Sequence, residues 1–194
     1  MATGEETDRA TYRALLWRYF RQLFSLKSLA VIFVAALGGS VVGSATNLIN
    51  GALCTQYFID VMGWYFQKDI HGQIIEQGSL EGIVCGAVFA VLYLILISAI
   101  SIDGYKLKTV LWSMVLGYAA ALGLWCIGGL LAIIYVGLAP DADPRWFGYG
   151  RLASYAWVRG SIMAIEFGGP LAVAVAVVGY TLRIHKLGRT NKTN

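Results

Sequence analysis

The stretch YAWVRGSIMAIEFGGPLAVAVAVVGY, residues 155–180, decides the class of fold. It is longer than the about 20 helical residues that cross a hydrocarbon core, and its only charged residues are Arg159 and Glu166. A charged side chain at the centre of a bilayer costs about 2.5 kcal/mol or more, so acids in such segments generally face protein or water. The stretch therefore predicts a membrane-spanning helix in which Glu166 contacts protein or water.

The composition of the whole chain supports this class. Of its 194 residues, 58% are hydrophobic and 13% are charged, and the mean hydropathy is +0.65, which is too apolar for a soluble domain of this size. Windows long enough to span a bilayer lie at about 28–51, 79–102, 109–138 and 158–182. The sequence predicts an all-α, four-helix integral membrane protein with a single membrane domain over 1–194.

Lysine and arginine are divided unevenly between the two sides of this bundle. Eleven of them lie in the head 1–27, between the second and third windows, or in the tail 183–194. The four on the other side are Lys68, Arg145, Arg151 and Arg159. Because cytoplasmic segments are enriched in Lys and Arg, we expect both termini in the cytoplasm, with the bundle in a plasma or inner membrane. The formal net charge of +4 then reflects topology and does not predict nucleic-acid binding.

The head has a helical pattern of its own. Apolar residues of TYRALLWRYFRQLF, residues 11–24, share one arc, and Arg18 and Arg21 lie away from it. The residues on the arc are Tyr12, Leu15, Leu16, Tyr19 and Leu23. This pattern predicts an N-terminal amphipathic helix on the cytoplasmic leaflet, where each arginine near anionic lipid contributes about 1 kcal/mol. A cytoplasmic extension of the first span fits the same residues.

Both outer connections carry aromatic residues. After the first span, the spacing of Phe58, Val61, Met62, Tyr65 and Phe66 predicts a short interfacial or re-entrant helix. The second connection is broken by Pro140 and Pro144, and its aromatic residues fit an outer belt at the membrane boundary better than a ligand cage. These residues are Trp146, Phe147, Tyr149, Tyr155 and Trp157.

Small residues recur at every fourth position of three spans and predict close helix packing. The stripes are Ala35, Gly39, Gly43, Asn47 and Gly51 in the first span, Gly78, Gly82, Gly86 and Ala90 in the second, and Gly160, Ala164, Gly168, Ala172 and Ala176 in the fourth. GSLEGIVCG at 78–86 and GSIMAIEFG at 160–168 also match at four positions with one offset, which raises the hypothesis of two duplicated hairpins.

Polar residues within the spans define one candidate site. Asn47, Asn50, Glu81, Arg159 and Glu166 all fall in the outer half of the predicted bundle. Glu166 lies beside the small-residue stripe of its helix, so we expect it to face protein. The cluster fits an ion, proton or solute site, in which two close acids raise the pKa of one of them. It also fits a packing hydrogen bond or a buried ion pair between Glu166 and Arg159.

Motifs for catalysis, metal binding and cofactors are absent. The sequence has no H-E-x-x-H, G-x-x-x-x-G-K-[ST] or G-x-S-x-G. Its three cysteines, Cys54, Cys85 and Cys126, lack C-x-x-C spacing and are predicted to be buried free thiols, with a bridge between Cys54 and Cys85 on the outer side as the alternative. No catalytic residue, metal ligand or cofactor is predicted.

The predicted function follows from these residues. The sequence favours a non-enzymatic membrane component, a subunit of a larger assembly whose partners are the lipid bilayer and either a second copy or another membrane protein. The alternative is a small-solute or ion transporter that uses the outer polar cluster. A membrane enzyme is the third hypothesis.

Overall fold

A computed structural model describes residue 14 and residues 17–101, 104–138 and 153–190, with side chains up to 186. Within these residues the chain is all-helical, and four of its helices are long and apolar enough to span a membrane. The elements are α1 (Leu26–Leu53), α2 (Thr55–Met62), α3 (Ile70–Ile100), α4 (Leu107–Leu138) and α5 (Ala153–Thr190). The predicted all-α, four-helix membrane class is confirmed.

The long helices extend beyond the apolar windows because hydropathy marks only the part that suits lipid. The largest difference is at α3, which begins at Ile70 instead of about 79. Asp69 caps it, its Oδ1 accepting a hydrogen bond from the Gly72 amide at 2.9 Å. At α1 the cap is Ser25, whose Oγ accepts from the Ser28 amide at 3.2 Å. The polar first turns of α3 therefore precede its most apolar part.

The four long helices form two antiparallel pairs. α1 packs along α3 and α4 packs along α5, and contacts between these two pairs are far fewer. We call α1–α3 the first pair and α4–α5 the second pair. The α2 end of the bundle carries α2, the end of α1 and the start of α3, and the opposite end carries the starts of α1 and α4. Each pair consists of helices that are consecutive long segments of the chain.

Glycines hold each pair at backbone contact. A Cβ on Gly39 or Gly43 would overlap the carbonyl oxygen of Gly82 or Gly78. In the second pair, a Cβ on Gly128 would overlap Ala164, and Gly160 lies opposite Gly128 in the same way. The predicted stripes thus lie where helices touch, as expected when van der Waals contact must hold helices together.

The duplication stays a hypothesis, because every up-and-down four-helix bundle contains two parallel hairpins. Gly78 and Gly160, which match at the offset found in the sequence, both lie at the glycine crossing of their own pair. α3 and α5 run parallel, each as the second long helix of a hairpin. Two hairpins in parallel repeat would have this form.

Two separate apolar clusters fill the bundle. One lies toward the opposite end and brings together residues of all four long helices, including Val31, Tyr93, Val110 and Tyr180. The other lies at the α2 end and includes Cys54, Tyr57, Phe58, Ile74 and Val158. Between them, α5 has no buried residue from 162 to 171, the segment that contains Pro170.

The head differs in part from its prediction. Residues 17–23 are helical and are separated from α1 by a turn at 24–25, so they are not a continuous extension of the span. Tyr19 and Leu23 lie against the bundle, the Tyr19 hydroxyl donating to the Ile95 carbonyl at 3.3 Å, and Trp17 and Phe24 are exposed. Tyr12, Leu15 and Leu16 lie outside the described residues.

Of the aromatic residues predicted for the outer connections, some pack inward and others are exposed. Phe58 is buried, and α2 ends at Met62 before a left-handed Gly63 (φ 69°), so Tyr65 and Phe66 lie beyond the helix and are exposed. Tyr155 and Trp157, expected in the outer belt, pack inward, because Tyr155 meets the ring of Tyr57 of α2 and Trp157 meets the ring of Trp125 of α4. Pro140, Pro144, Trp146, Phe147 and Tyr149 lie outside the described residues.

Candidate functional site

The five predicted site residues lie in three places, and only the two asparagines are inside the bundle. The Asn47 amide donates to the Ile74 carbonyl at 3.2 Å, joining α1 to α3. Asn50, which is 1% exposed, reaches across to the second pair, where its Oδ1 lies 3.4 Å from the donating Ser161 hydroxyl. These asparagines therefore link helices at the α2 end, one within a pair and one between pairs.

The two acids lie on the outside of the bundle. Glu166 is exposed, contrary to the expectation that it faces the other helices, because its position on α5 falls outside both the α4 contact and the contact with α1. Glu81 is exposed as well and accepts a hydrogen bond from Gln77 at 2.6 Å. Cys85, one turn after Glu81, lies within electrostatic range of both carboxylates. We call Glu81, Cys85 and Glu166 the acidic face.

Arg159 lies apart from Glu166. It is half-buried, and among the described residues it forms no ion pair with Glu166. Arg159 and Asp60 both lie within electrostatic range of the Tyr155 hydroxyl, and Asp60 accepts a hydrogen bond from Gln56 at 2.7 Å. Among the described residues, the five side chains therefore lie in separate places and do not form one cluster. The transport hypothesis stays a prediction.

The cysteines are free, as predicted, but only Cys54 is buried. Cys85 and Cys126 are exposed on membrane-spanning helices, because they occupy sides of α3 and α4 that none of the described helices covers. Exposure of a thiol in such a segment means contact with lipid or with another protein.

A buried hydroxyl cluster at the opposite end was missed at the sequence level. The Tyr93 hydroxyl bonds the Ser113 hydroxyl, joining α3 to α4, and the Ser101 and Tyr180 hydroxyls lie 3.0 Å apart. Ser28 of α1 and Tyr105 form a further pair at 2.6 Å. We call these residues, with the buried Ser98 and Thr109, the hydroxyl cluster. It joins all four long helices.

Its signal was present in the sequence. Between 93 and 113, across the end of α3, the connection and the start of α4, hydroxyl residues recur at intervals of three to five. The members in that range are Tyr93, Ser98, Ser101, Tyr105, Thr109 and Ser113. Tyrosine and serine pass for apolar or small residues in a hydropathy count, so the count conceals the pattern.

The chemistry available to these groups is limited. Hydroxyls and amides donate and accept hydrogen bonds but are weak acids and bases, and a nucleophile needs an adjacent base to be activated. Within the described ranges, no three His, Cys, Asp or Glu side chains are grouped as a metal site would require. The arrangement therefore supports polar binding and helix association.

Comparisons of the chain with protein-family models, with curated protein sequences and with solved structures find no match. The proposed function therefore rests on the residues of this chain and their geometry.

Proposed function

We propose that this membrane protein is a non-enzymatic subunit of a larger membrane assembly, and that the acidic face is its contact with a partner. The observation that carries the proposal is the position of Glu166, which is exposed on a span with no hydrogen bond or ion pair to the described residues. A carboxylate facing lipid is costly, whereas one covered by a partner that offers a donor is not.

The neighbours of Glu166 support the same conclusion. Phe167 is 77% exposed and Val84 is 62% exposed, so the acids are set in an apolar surface suited to another helix. Glu81 and Cys85 place two more polar groups on this surface. An isologous contact would bring acidic faces together, and like charges repel. The face therefore fits a different protein that carries a basic or hydrogen-bond-donating residue at this depth.

Site-specific photo-crosslinking in native membranes tests the proposal. A photoreactive amino acid placed at Cys85 should give one protein adduct of defined mass, and the same amino acid at Cys126, exposed on α4, should not. Glu166→Leu should abolish the adduct, whereas Glu76→Leu, the same change on an exposed acid before the apolar part of α3, should preserve it. Lipid adducts alone at Cys85, or an adduct indifferent to Glu166→Leu, would refute the proposal.

The orientation forms part of the proposal: both termini face the cytoplasm of a plasma or inner membrane. The distribution of lysine and arginine supports it. In a variant without the three native cysteines, Gln73→Cys should react with an impermeant thiol reagent added outside cells, and Lys106→Cys should react only after permeabilisation. Labelling of position 106 in intact cells would reverse the orientation.

A further inference from the structure

Three buried N–H donors at the α2 side of the bundle have no acceptor within the described residues. They are Asn50 Nδ2, Trp125 Nε1 and Trp157 Nε1. Asn50 is 1% exposed and Trp125 is 7% exposed, so water outside the bundle does not reach them. Buried polar groups are hydrogen-bonded in the great majority of cases, and three unpaired donors in one region therefore require an explanation.

The three donors are linked by direct contacts. Asn50 of α1 contacts Ser161 of α5 at 3.4 Å, and Trp157 lies one helical turn, about 6 Å, before Ser161 on the same helix. The ring of Trp157 meets the ring of Trp125 of α4 edge to face, with centroids 5.4 Å apart. The donors thus follow the line along which α1, α4 and α5 meet.

Contacts within the group do not satisfy the donors. In an edge-to-face ring pair, at most one indole N–H can point at the face of the other ring. The second indole and the Asn50 amide still need acceptors. Ser161 Oγ, which donates to the Val158 carbonyl at 3.0 Å, lies against Asn50 Oδ1 and not against Nδ2, so it accepts from none of the three donors in this arrangement.

The chemistry of the missing partner follows from the donors. A water molecule would bring two O–H donors that need further acceptors, whereas a carboxylate brings only acceptors, about four lone-pair sites on two oxygens. Asp60, the acid near Tyr155, is engaged by Gln56 and, at 3.4 Å, by the Tyr65 hydroxyl.

We propose that Asn50, Trp125 and Trp157 form a binding site for a small carboxylate between α1, α4 and α5. Their three N–H groups hold its oxygens. The site is separate from the acidic face and does not depend on the proposed assembly. A ligand here bridges the two helix pairs, since Asn50 belongs to the first and both tryptophans belong to the second.

Indole ¹H–¹⁵N spectra of the full chain in lipid nanodiscs report directly on these groups. Sodium acetate is the probe, with sodium chloride at equal ionic strength as the control, and each indole is assigned by its own Trp→Phe variant. Acetate should shift the Trp125 and Trp157 N–H protons downfield and saturably. Trp112 of α4, whose ring lies beneath Arg183 of α5, is the control indole, and its N–H proton should not shift.

Variants separate binding from folding. Asn50→Leu and Trp125→Phe each remove one donor and should weaken acetate binding at least tenfold, and Trp112→Phe should leave it unchanged. Trp125→Phe keeps an aromatic ring, so it still tests the proposal if Asn50→Leu fails to fold. No saturable shift, an equal shift with chloride, or unaltered affinity in both variants would overturn the proposal. So would indole protons that show contact with bound water and do not respond to acetate.

Discussion

The helix pairs and the junction between them differ in their closest contacts, although side-chain hydrogen bonds such as Asn47 with Ile74 and Ser40 with Ser79 also occur within the first pair. Within a pair, glycine lets one backbone lie against another, as at Gly39 and Gly82. Between pairs, side-chain hydroxyls and an amide make the polar contacts, as at Tyr93 with Ser113 and Ser161 with Asn50. A backbone contact has no freedom to adjust, whereas a side chain can change rotamer. We therefore expect the pairs to be the rigid units of this bundle and the junction between them to be the adjustable part.

The largest effect should come from the rigid contact. Gly82→Ala places a methyl group on the Gly39 carbonyl, and only a backbone shift can relieve the clash. We expect a loss of stability of about 3 kcal/mol or more, at the upper end of overpacking costs. Reversible unfolding in mixed micelles measures it.

Gly169→Ala is the matched control, because a Cβ there meets nothing within 4 Å. It should be neutral, or stabilising by up to about 1 kcal/mol from helix propensity. Equal stability of Gly82→Ala and the wild type would show that the first pair is no more rigid than the junction.

An intermediate effect is expected at the junction. Tyr93→Phe removes the hydroxyl that meets Ser113, which still donates to the Val110 carbonyl at 2.8 Å. Hydrogen bonds between membrane helices average about 0.6 kcal/mol and reach about 1.7 kcal/mol, so we expect a loss in this range. Tyr65→Phe, at a 61% exposed tyrosine, should change nothing measurable in the same unfolding assay. A loss above that of Gly82→Ala would reverse the ranking of the two regions.

The smallest effect is expected at Gly168, although it lies on a predicted stripe. A Cβ at this position would lie 2.7 Å from Leu124 Cδ1, the far end of a flexible side chain. Leu124 can turn away, so Gly168→Ala should change stability by less than about 1 kcal/mol in either direction. The comparison with Gly82→Ala tests whether the atom opposite the glycine, backbone or side chain, sets the cost.

The sequence predicted the number and class of the long helices well, because length and hydropathy decide them almost alone. It also identified the glycine stripes, since small residues at every fourth position have little other use in a span. The stripes predicted that these faces pack against helices, but the contact of α1 with α3 through Gly43 and Gly78 needed the structure.

The directions of single polar residues were harder to predict. A helix turns about 100° per residue, and Glu166 is two positions from the stripe residues Ala164 and Gly168. Its side chain therefore points about 200° away from the stripe and out of the bundle. The inward packing of Trp157 depends on Trp125, far away in the chain. Which face of a span meets protein depends on neighbours that one helix alone does not encode.

The pairing of consecutive long helices has a consequence for biosynthesis. All residues of the first pair, 26–100, emerge from the ribosome before Leu107, the first residue of α4, emerges. At about 5–20 residues per second, the 84 positions from 107 to 190 take roughly 4–17 s to translate. During that interval the newly inserted first hairpin can close its glycine contact, but Tyr93 and Asn50 still await their partners. The nascent chain therefore has a defined period in which a chaperone or translocon must shield those polar groups from lipid.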